Sequence, residues 1–311
     1  MKTAPIKIIF DTDMSGDCDD TGALAILNKL ADLGEAEIVA CVANGIDKDK
    51  AVAASISAIN TYYGRPQIPI GAYQGNRCKP NASPYTAALR DEFCHHALAD
   101  DQMPAALDVY RAALASAPDH SVTVISVGFL INLRDLLESK ADGNSPLAGG
   151  ELVRRKVERV VMMGGAFPQS DPVKGEYNFA FEGVGPDSQL VIEAWPTSIL
   201  FSGFEIGEPV ITGKGLVATP STNPVRRAYE LFDNSLRSGR PSWDLITVLA
   251  AVRGPEPLWE VSGEGYCKVA PNGSNEWFAS PDRGHAYLIE KAPPEKVAEG
   301  LEGLLTTPVT K

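Results

Sequence analysis

Short apolar runs alternate with helical patterns along most of this chain. Ile6–Phe10 is a short apolar run, and Thr21–Leu33 then carries leucines at helical spacing. This alternation predicts an α/β fold with a doubly wound, mostly parallel open sheet, whose ligands bind beyond the carboxyl ends of the strands. The later strand and helix predictions are Ile38–Ala43 with Asp49–Tyr63, Val122–Val127 with Leu130–Leu137, Val157–Met163 with Asp187–Trp195, and the strand Ser198–Phe201.

The pattern changes after Gly254, where short β-like pieces are separated by Gly, Pro and Asn. Pro294–Leu305 then has the pattern of a closing helix. Nothing in the length of 311 residues requires a second unit, so we expect a single domain over residues 1–311 with a β-rich C-terminal appendage. The predicted strands of this appendage are Leu258–Val261, Tyr266–Val269, Glu276–Ala279 and Ala286–Ile289.

Composition and charge exclude several classes of partner. A net charge of −12 without a basic stripe argues against nucleic acid, and the longest apolar runs are too short to span a membrane. Five cysteines without CxxC spacing predict reduced thiols and a cytoplasmic location. The segment Met1–Pro5 has no secretion-signal pattern, although a chain trimmed of its signal peptide would look the same.

An acidic loop follows the first predicted strand. Five carboxylates fall within the ten residues from Asp11 to Asp20. Like charges this close repel unless a cation lies among them. Every ligand on offer is an oxygen, which favours Ca²⁺ or Mg²⁺, and Ca²⁺ better tolerates the irregular geometry of a loop.

Polar groups follow three further predicted elements. Val127 ends a strand before Gly128 and can offer its backbone carbonyl, while Glu176 and Asn178 come after the glycine turn that follows Met163. We expect Glu176 and Asn178 in an extended segment, where a spacing of two puts both side chains on one face. Asp244 opens an apolar helix, Leu245–Val252, and a helix N-cap is the alternative interpretation of this residue.

Together these segments resemble the nucleoside hydrolase family, of the inosine-uridine-preferring type. The resemblance spans nearly the whole chain. The acidic loop is two residues longer than in the best-known members, as in a side branch of the family. The matching motifs are Asp11-Thr12-Asp13, Asp19-Asp20, Tyr63-Gly64-Arg65-Pro66, Met163-Gly164-Gly165, Glu176-x-Asn178 and Asp244.

The resemblance implies a role for each matched residue. The expected reaction is hydrolysis of the N-glycosidic bond of a ribonucleoside, with Ca²⁺ as cofactor and release of base and ribose. Asp13 would bind Ca²⁺ and take a proton from water, and the other Ca²⁺ ligands would be Asp20, the Val127 carbonyl and Asp244. Asp19, Glu176 and Asn178 would bind the ribose hydroxyls. A small-molecule nucleoside is the expected partner, and the chain would form a homo-oligomer, a dimer or a tetramer.

The sequence departs from the family pattern at two positions. The common family type has a His before the late Asp that protonates the departing base, but this chain has Trp243, which instead offers a stacking surface for the base. The Asn after the second strand is one place early, at Asn44, which is still predicted to contact ribose. Tyr229, on a predicted helical stretch over Pro224–Leu236, is predicted to line the base pocket, with packing as its alternative. Asp17 is either an extra ligand or a solvated acid.

Two other functions stay open at this point. The segment Phe10–Ser15 also resembles the first motif of haloacid-dehalogenase-type Mg²⁺ phosphatases, in which the first Asp is the nucleophile. That chemistry needs a lysine, for which Lys156 is available, and a late acidic pair that does not follow it. The other alternative is a catalytically weak nucleoside- or ribose-binding protein, which Trp243 in place of His makes conceivable.

Overall fold

The computed structural model describes residues 4–280 and 283–309, and a ten-stranded sheet lies at its centre. The strand order is β11-β10-β12-β6-β5-β4-β1-β2-β3, with β9 pairing with β12, while β7 and β8 form a separate pair. The strands are β1 Ile6–Thr12, β2 Ala36–Ala43, β3 Ile70–Ala72, β4 Val122–Val127, β5 Val157–Met163, β6 Ser198–Ser202, β7 Ile211–Thr212, β8 Arg240–Pro241, β9 Trp259–Val261, β10 Gly265–Val269, β11 Asn275–Ala279 and β12 His285–Glu290.

The strands from β3 to β6 in this order are all parallel, which confirms the predicted fold class. Chain order runs outward in both directions from the pair β1 and β4, where Thr12 lies opposite Val127. In open α/β sheets such a reversal leaves a crevice at the carboxyl ends of the two strands, and ligands bind there.

Helices cover both faces of the sheet. In β1, Ile8 and Phe10 pack into one core and Ile9 into the other, as the alternation of side chains along a strand requires. None of the helices in the described residues is both long enough and apolar enough to cross a membrane. The helices are α1 Asp19–Asp32, α2 Val52–Tyr62, α3 Thr86–Glu92, α4 Ala106–Ser116, α5 Ile131–Glu138, α6 Gly149–Lys156, α7 Tyr177–Ala180, α8 Gly185–Ala194, α9 Phe204–Gly207, α10 Pro224–Leu231, α11 Ser235–Ser238, α12 Trp243–Arg253 and α13 Pro294–Thr306.

The β-rich C-terminal segment is present, and its strands extend the central sheet. Strand β12 pairs in parallel with β6, with Ala286 opposite Leu200, and antiparallel β9 and β10 then pair with β12. This pairing covers the edge of β6, whose backbone groups would otherwise lack partners. A pattern of apolar residues predicts a strand but does not reveal which strand it pairs with.

The helical pattern predicted over Pro224–Leu236 is interrupted. Helix α10 ends at Leu231, and a short α11 begins at Ser235. Between them Asp233 and Asn234 have positive φ angles of 46° and 50°. Asp and Asn adopt this left-handed conformation more readily than most residues, and it cannot continue a right-handed helix.

Candidate active site

One cavity of about 280 Å³ opens at the carboxyl ends of the central strands. It gathers residues from the acidic loop, the ends of β4 and β5, the segment around α7 and the start of α12. Most of the predicted site residues lie in its wall, and Asn44 and Tyr229 do not. The lining consists of Asp13, Gly16, Asp17, Asp19, Asp20, Val127, Met163, Glu176, Tyr177, Asn178, Phe204, Arg240, Trp243 and Asp244.

Asp19, Asp20 and Asp244, here called the acidic trio, come together in this cavity. Each offers a carboxylate oxygen, and these oxygens lie within 4.8 Å of one another. The first two stand in the first turn of α1 and the third in the first turn of α12, and these helices pack together. Ser242 occupies the N-cap position of α12, so the N-cap interpretation of Asp244 is wrong.

Charge within the acidic trio is only partly compensated by the protein. Burial raises the pKa of each carboxyl well above its usual value, and repulsion from neighbouring carboxylates raises it further. Asp20 accepts a hydrogen bond from Thr12 Oγ1, and Asp19 accepts one from the Asp244 backbone N–H at 3.1 Å. A buried, oxygen-only cluster that repels itself suits a hard cation such as Ca²⁺ or Mg²⁺.

Asp13 lies in the same cavity, outside the acidic trio. Its side chain is buried, and this burial raises the pKa of Asp13 to about 7. A Cβ atom at Gly128 would lie 2.7 Å from Oδ1 of Asp13, so the carboxylate packs closely against the turn that follows Val127. A carboxyl group that titrates near neutral pH suits proton transfer. The predicted metal contact of Asp13 stays a prediction.

Asp11 is a buried hydrogen-bond acceptor that supports the residues around the site, a role that the sequence did not reveal. It is fully buried and accepts hydrogen bonds from Tyr110 at 2.6 Å, Asn44 at 2.8 Å and Asn132 at 3.1 Å. The side-chain oxygen of Asn44 also accepts from the Phe129 backbone N–H at 3.0 Å. Asn44 thus connects β1 to the turn after β4 and is not among the residues that line the cavity, and its predicted ribose contact stays a prediction.

Asp17 is neither a solvated acid nor a member of the acidic trio. Its carboxylate forms a bidentate ion pair with Arg240, whose Nε lies 2.8 Å and 2.9 Å from the two oxygens. The Tyr85 hydroxyl donates to the Asp17 backbone carbonyl at 2.5 Å. No motif in the sequence marks Arg240, because the pair joins positions far apart in the chain.

Glu176 and Asn178 line the cavity, but the segment is not extended. Glu176 is the N-cap of α7 and accepts the Asn178 backbone N–H at 3.1 Å. It also accepts from the Gly165 N–H at 2.9 Å, and Asn178 Nδ2 donates to the Met163 carbonyl at 3.2 Å. The prediction of an extended segment is therefore wrong, because a helical turn capped by the Glu176 carboxylate begins at Tyr177 and includes Asn178.

Aromatic side chains form the outer wall. The rings of Trp243 and Phe204 stack with centroids 5.3 Å apart, and Trp243 Nε1 donates to the Phe204 carbonyl at 2.9 Å. Tyr177 is 49% exposed on the same cavity. Tyr229 is fully buried beside Gly22 and Gly213, so the structure supports its packing alternative and not a place in the base pocket.

No protein-family model matches the sequence, and no curated protein does, whereas several solved structures share its fold. A plant nucleoside hydrolase, PpNRh1, superposes with a TM-score of 0.69 at 20% identity, covering 98% of this chain and 100% of that one. The inosine-uridine preferring nucleoside hydrolase of Bacillus anthracis gives a TM-score of 0.71 at 16% identity, covering 97% and 99%. The type III effector protein XopQ, solved with adenosine diphosphate ribose, gives 0.74 at 15% identity, covering 98% and 93%.

The chain has the nucleoside hydrolase fold. The resemblance predicted from the strand-end motifs is therefore confirmed at the level of the fold. Within that fold, the predicted phosphatase lysine is in the wrong place. Lys156 lies at the amino end of β5, where it donates to the Ala117 carbonyl at 2.7 Å and pairs with Asp119 at 2.9 Å, whereas the cavity lies at the carboxyl ends.

Adding a methyl group at Gly128 should disrupt the packing around Asp13 in the candidate active site. In Gly128→Ala the new Cβ would lie 2.6 Å from Oδ1 of Asn44 and 2.7 Å from the Asp13 backbone nitrogen. Overpacking costs about 1–3 kcal/mol, so we expect affinity for a divalent cation, measured by titration calorimetry, to fall about fivefold or more. Gly143→Ala is the matched control, since its Cβ meets nothing within 4 Å. Equal affinities in the two variants would contradict the close packing.

Proposed function

We propose that this chain hydrolyses the N-glycosidic bond of ribonucleosides and releases base and ribose, with Ca²⁺ as its cofactor. The observation that carries the proposal is the convergence of the acidic trio with Asp13, Glu176 and Asn178 on one cavity at the sheet's reversal point. Carboxylates around a cation and a sugar suit a reaction that passes through an oxocarbenium-like transition state.

The residues that would hold the ion are Asp13, Asp20, Asp244 and the backbone carbonyl of Val127. The structure adds Asp19 as a close neighbour of the same cluster. When bound, a hard cation lowers the pKa of nearby water and offsets the negative charge of the cavity. Ca²⁺ is proposed over Mg²⁺ because it accepts a larger and less regular set of oxygen ligands.

The protein groups divide the remaining work. Asp13 takes a proton from the attacking water, for which its position in the cavity and its burial are suited. Glu176 and Asn178 orient ribose, because the cap and the bond to Met163 hold both side chains in place. The base would lie against the outer wall, where Trp243 and Phe204 offer aromatic surface.

An activity screen tests the proposal. Purine and pyrimidine ribonucleosides are incubated with the protein, and ribose release is measured by a reducing-sugar assay. We expect release that stops on adding a chelator and returns with Ca²⁺. An absence of release from every ribonucleoside at saturating Ca²⁺ would contradict the function, and restoration by Mg²⁺ alone would contradict the choice of metal.

A catalytically weak nucleoside- or ribose-binding protein is the second candidate. Trp243 at the position of the family's catalytic His is the observation in its favour. XopQ, which shares the fold, was solved with adenosine diphosphate ribose. Calorimetry run beside the activity screen separates the candidates, since this one predicts heat of binding without release of ribose.

A homo-oligomer, either a dimer or a tetramer, and a cytoplasmic location complete the proposal. The family resemblance suggests the first, and unpaired cysteines suggest the second. Light scattering in solution measures the oligomeric state, and a monomer would contradict that part of the proposal. Fractionation of cells that express the native gene tests the location.

Shortening Asn178 should weaken sugar recognition and leave the ion in place. In Asn178→Ala we expect kcat/KM for ribonucleosides to fall about 10–100-fold, because a hydrogen-bonding partner in the cavity is lost. Calcium affinity should stay within about twofold of the parent. Exposed Asn144→Ala is the matched control. If the parent handled ribose and 2′-deoxyribose substrates equally, the assigned contact with the sugar hydroxyls would be wrong.

A further inference from the structure

Arg240 is the one Lys or Arg side chain in the wall of the cavity, among the described residues. Around it the same wall carries the carboxylates of Asp13, Asp17, Asp19, Asp20, Glu176 and Asp244. A metal-binding role does not explain why a single positively charged side chain lies in so acidic a cavity. The proposed function gives it no role.

The guanidinium group is held from several sides. Asp17 binds it in a bidentate pair, with Nε at 2.8 Å and 2.9 Å from the two carboxylate oxygens. Its central carbon lies 4.9 Å from the ring centroid of Phe232 and 5.6 Å from that of Trp243. The bond from Tyr85 to the Asp17 backbone at 2.5 Å fixes the other partner. Donors fixed in advance stabilise developing charge better than mobile ones.

Arg240 keeps donors to spare. Its ion pair with Asp17 uses Nε and Nη2, and within the described residues Nη1 makes no hydrogen bond. Its side chain is 29% exposed and lines the cavity. The guanidinium group lies beside Trp243, on the outer wall to which the proposed function assigns the base.

The charge of the cavity argues against a phosphate at this place. Asp17 already neutralises Arg240, and the other five carboxylates of the wall leave an excess of negative charge that one divalent ion only partly offsets. A phosphorylated ribose would meet strong repulsion there. A group that gains only partial negative charge, and gains it during the reaction, suits a paired guanidinium better.

We propose that Arg240 is a catalytic residue that stabilises the departing base, in place of the acid that Trp243 cannot provide. The inference rests on the proposed function. As the bond between C1′ and the base nitrogen breaks, its electron pair stays on the base, and Nη1–H and Nη2–H donate to the oxygen or ring nitrogen that gains the charge. Water gives its hydroxyl to C1′ and its proton to Asp13. The base then takes a proton from solvent, and Asp13 returns its own to solvent.

An arginine acts here by hydrogen bonding and charge, and not by proton transfer. Burial works against the charge, but the hydrogen bonds to Asp17 outweigh it and raise the pKa of Arg240 above its usual value. The guanidinium therefore stays protonated throughout the neutral range. Asp17 is a positioning residue, since it holds Arg240 without reaching the base.

Substrates that differ in their leaving group test the assignment. Nitrophenolate departs without help, whereas hypoxanthine and uracil need stabilisation. In Arg240→Gln we expect kcat/KM for inosine and uridine to fall about 100-fold and that for nitrophenyl riboside less than about threefold. Asp17→Asn should show the same selectivity with a smaller loss. Arg237→Gln, an exposed arginine on the preceding helix, is the matched control.

The results of these assays distinguish a wrong assignment of Arg240 from a wrong proposed function. Equal losses on both kinds of substrate in Arg240→Gln, with calcium binding and circular dichroism unchanged, would overturn the assignment and leave the hydrolase function standing. A selective loss in Tyr177→Phe, with none in Arg240→Gln, would move the role to the Tyr177 hydroxyl and also overturn it. A parent protein that cleaves neither kind of substrate would refute the proposed function itself.

Discussion

Replacing Asp244 with asparagine is expected to abolish calcium binding and, at the same time, to stabilise the metal-free protein. Asp244 belongs to the acidic trio, whose oxygens lie within 4.8 Å of one another. Removing one negative charge takes away a ligand for the ion. It also removes the repulsion that the metal-free cavity suffers, because Asp19 and Asp20 both help to raise the pKa of Asp244.

The two effects are read from thermal unfolding with and without the ion. At a calcium concentration about 100 times Kd, binding should stabilise the parent by about 2.7 kcal/mol and the variant by nothing measurable. In chelator the order reverses, and Asp244→Asn should unfold at the higher temperature. Asp49→Asn, an exposed acid outside the cavity, is the matched control. A calcium-dependent rise in the variant equal to that of the parent would contradict the ligand role.

The stability of the metal-free protein should depend on pH, in a direction that follows from the raised pKa of Asp244. Folding raises the pKa of Asp244, so the folded state binds more protons than the unfolded chain, in which an Asp titrates near about 4. The stability of the metal-free parent should therefore fall as pH rises above about 4 towards the raised pKa. The advantage of Asp244→Asn in chelator should grow over that same interval and vanish below it.

Strands buried on both faces were predictable from sequence. Val122–Val127 and Val157–Met163 were predicted with the bounds that the structure gives β4 and β5, because strands covered on both faces are rich in apolar residues. The order of motifs along the chain, through its family resemblance, also predicted that Asp13, Asp20 and Asp244 would lie together at one end of the sheet. A parallel sheet brings such strand ends together by its geometry.

Long-range side-chain pairing was not predictable. Arg240 joins the cavity through Asp17, 223 positions earlier in the chain, and no local pattern marks such a pair. The bonds of Asn44 to Asp11 and to the Phe129 backbone likewise join distant positions, and no local motif records them. Glu176 was misjudged because Glu is not among the usual N-cap residues.

Replacing Asp13 with asparagine is expected to slow the hydrolysis of inosine and of nitrophenyl riboside by the same factor. The proposed task of Asp13 is to take a proton from water, and both substrates need that step equally. Loss of a general base costs about 10²–10⁴-fold in kcat. Rates are compared at saturating Ca²⁺, because the predicted metal contact of Asp13 would weaken binding of the ion as well.

An equal loss of rate on both substrates distinguishes the role of Asp13 from that of Arg240, because replacing Arg240 should leave the hydrolysis of nitrophenyl riboside nearly unchanged. Asp49→Asn again serves as the control, and calorimetry confirms that the ion is bound in every variant that is compared. A kcat in Asp13→Asn within about threefold of the parent would exclude the general-base role, since even the low end of general-base catalysis is about 100-fold. A loss confined to inosine would instead place Asp13 on the leaving-group side of the reaction. Because Asp13 packs against the turn after Val127, on the floor of the cavity, and Arg240 lies beside Trp243 on its aromatic wall, the equal loss is the result that the geometry favours.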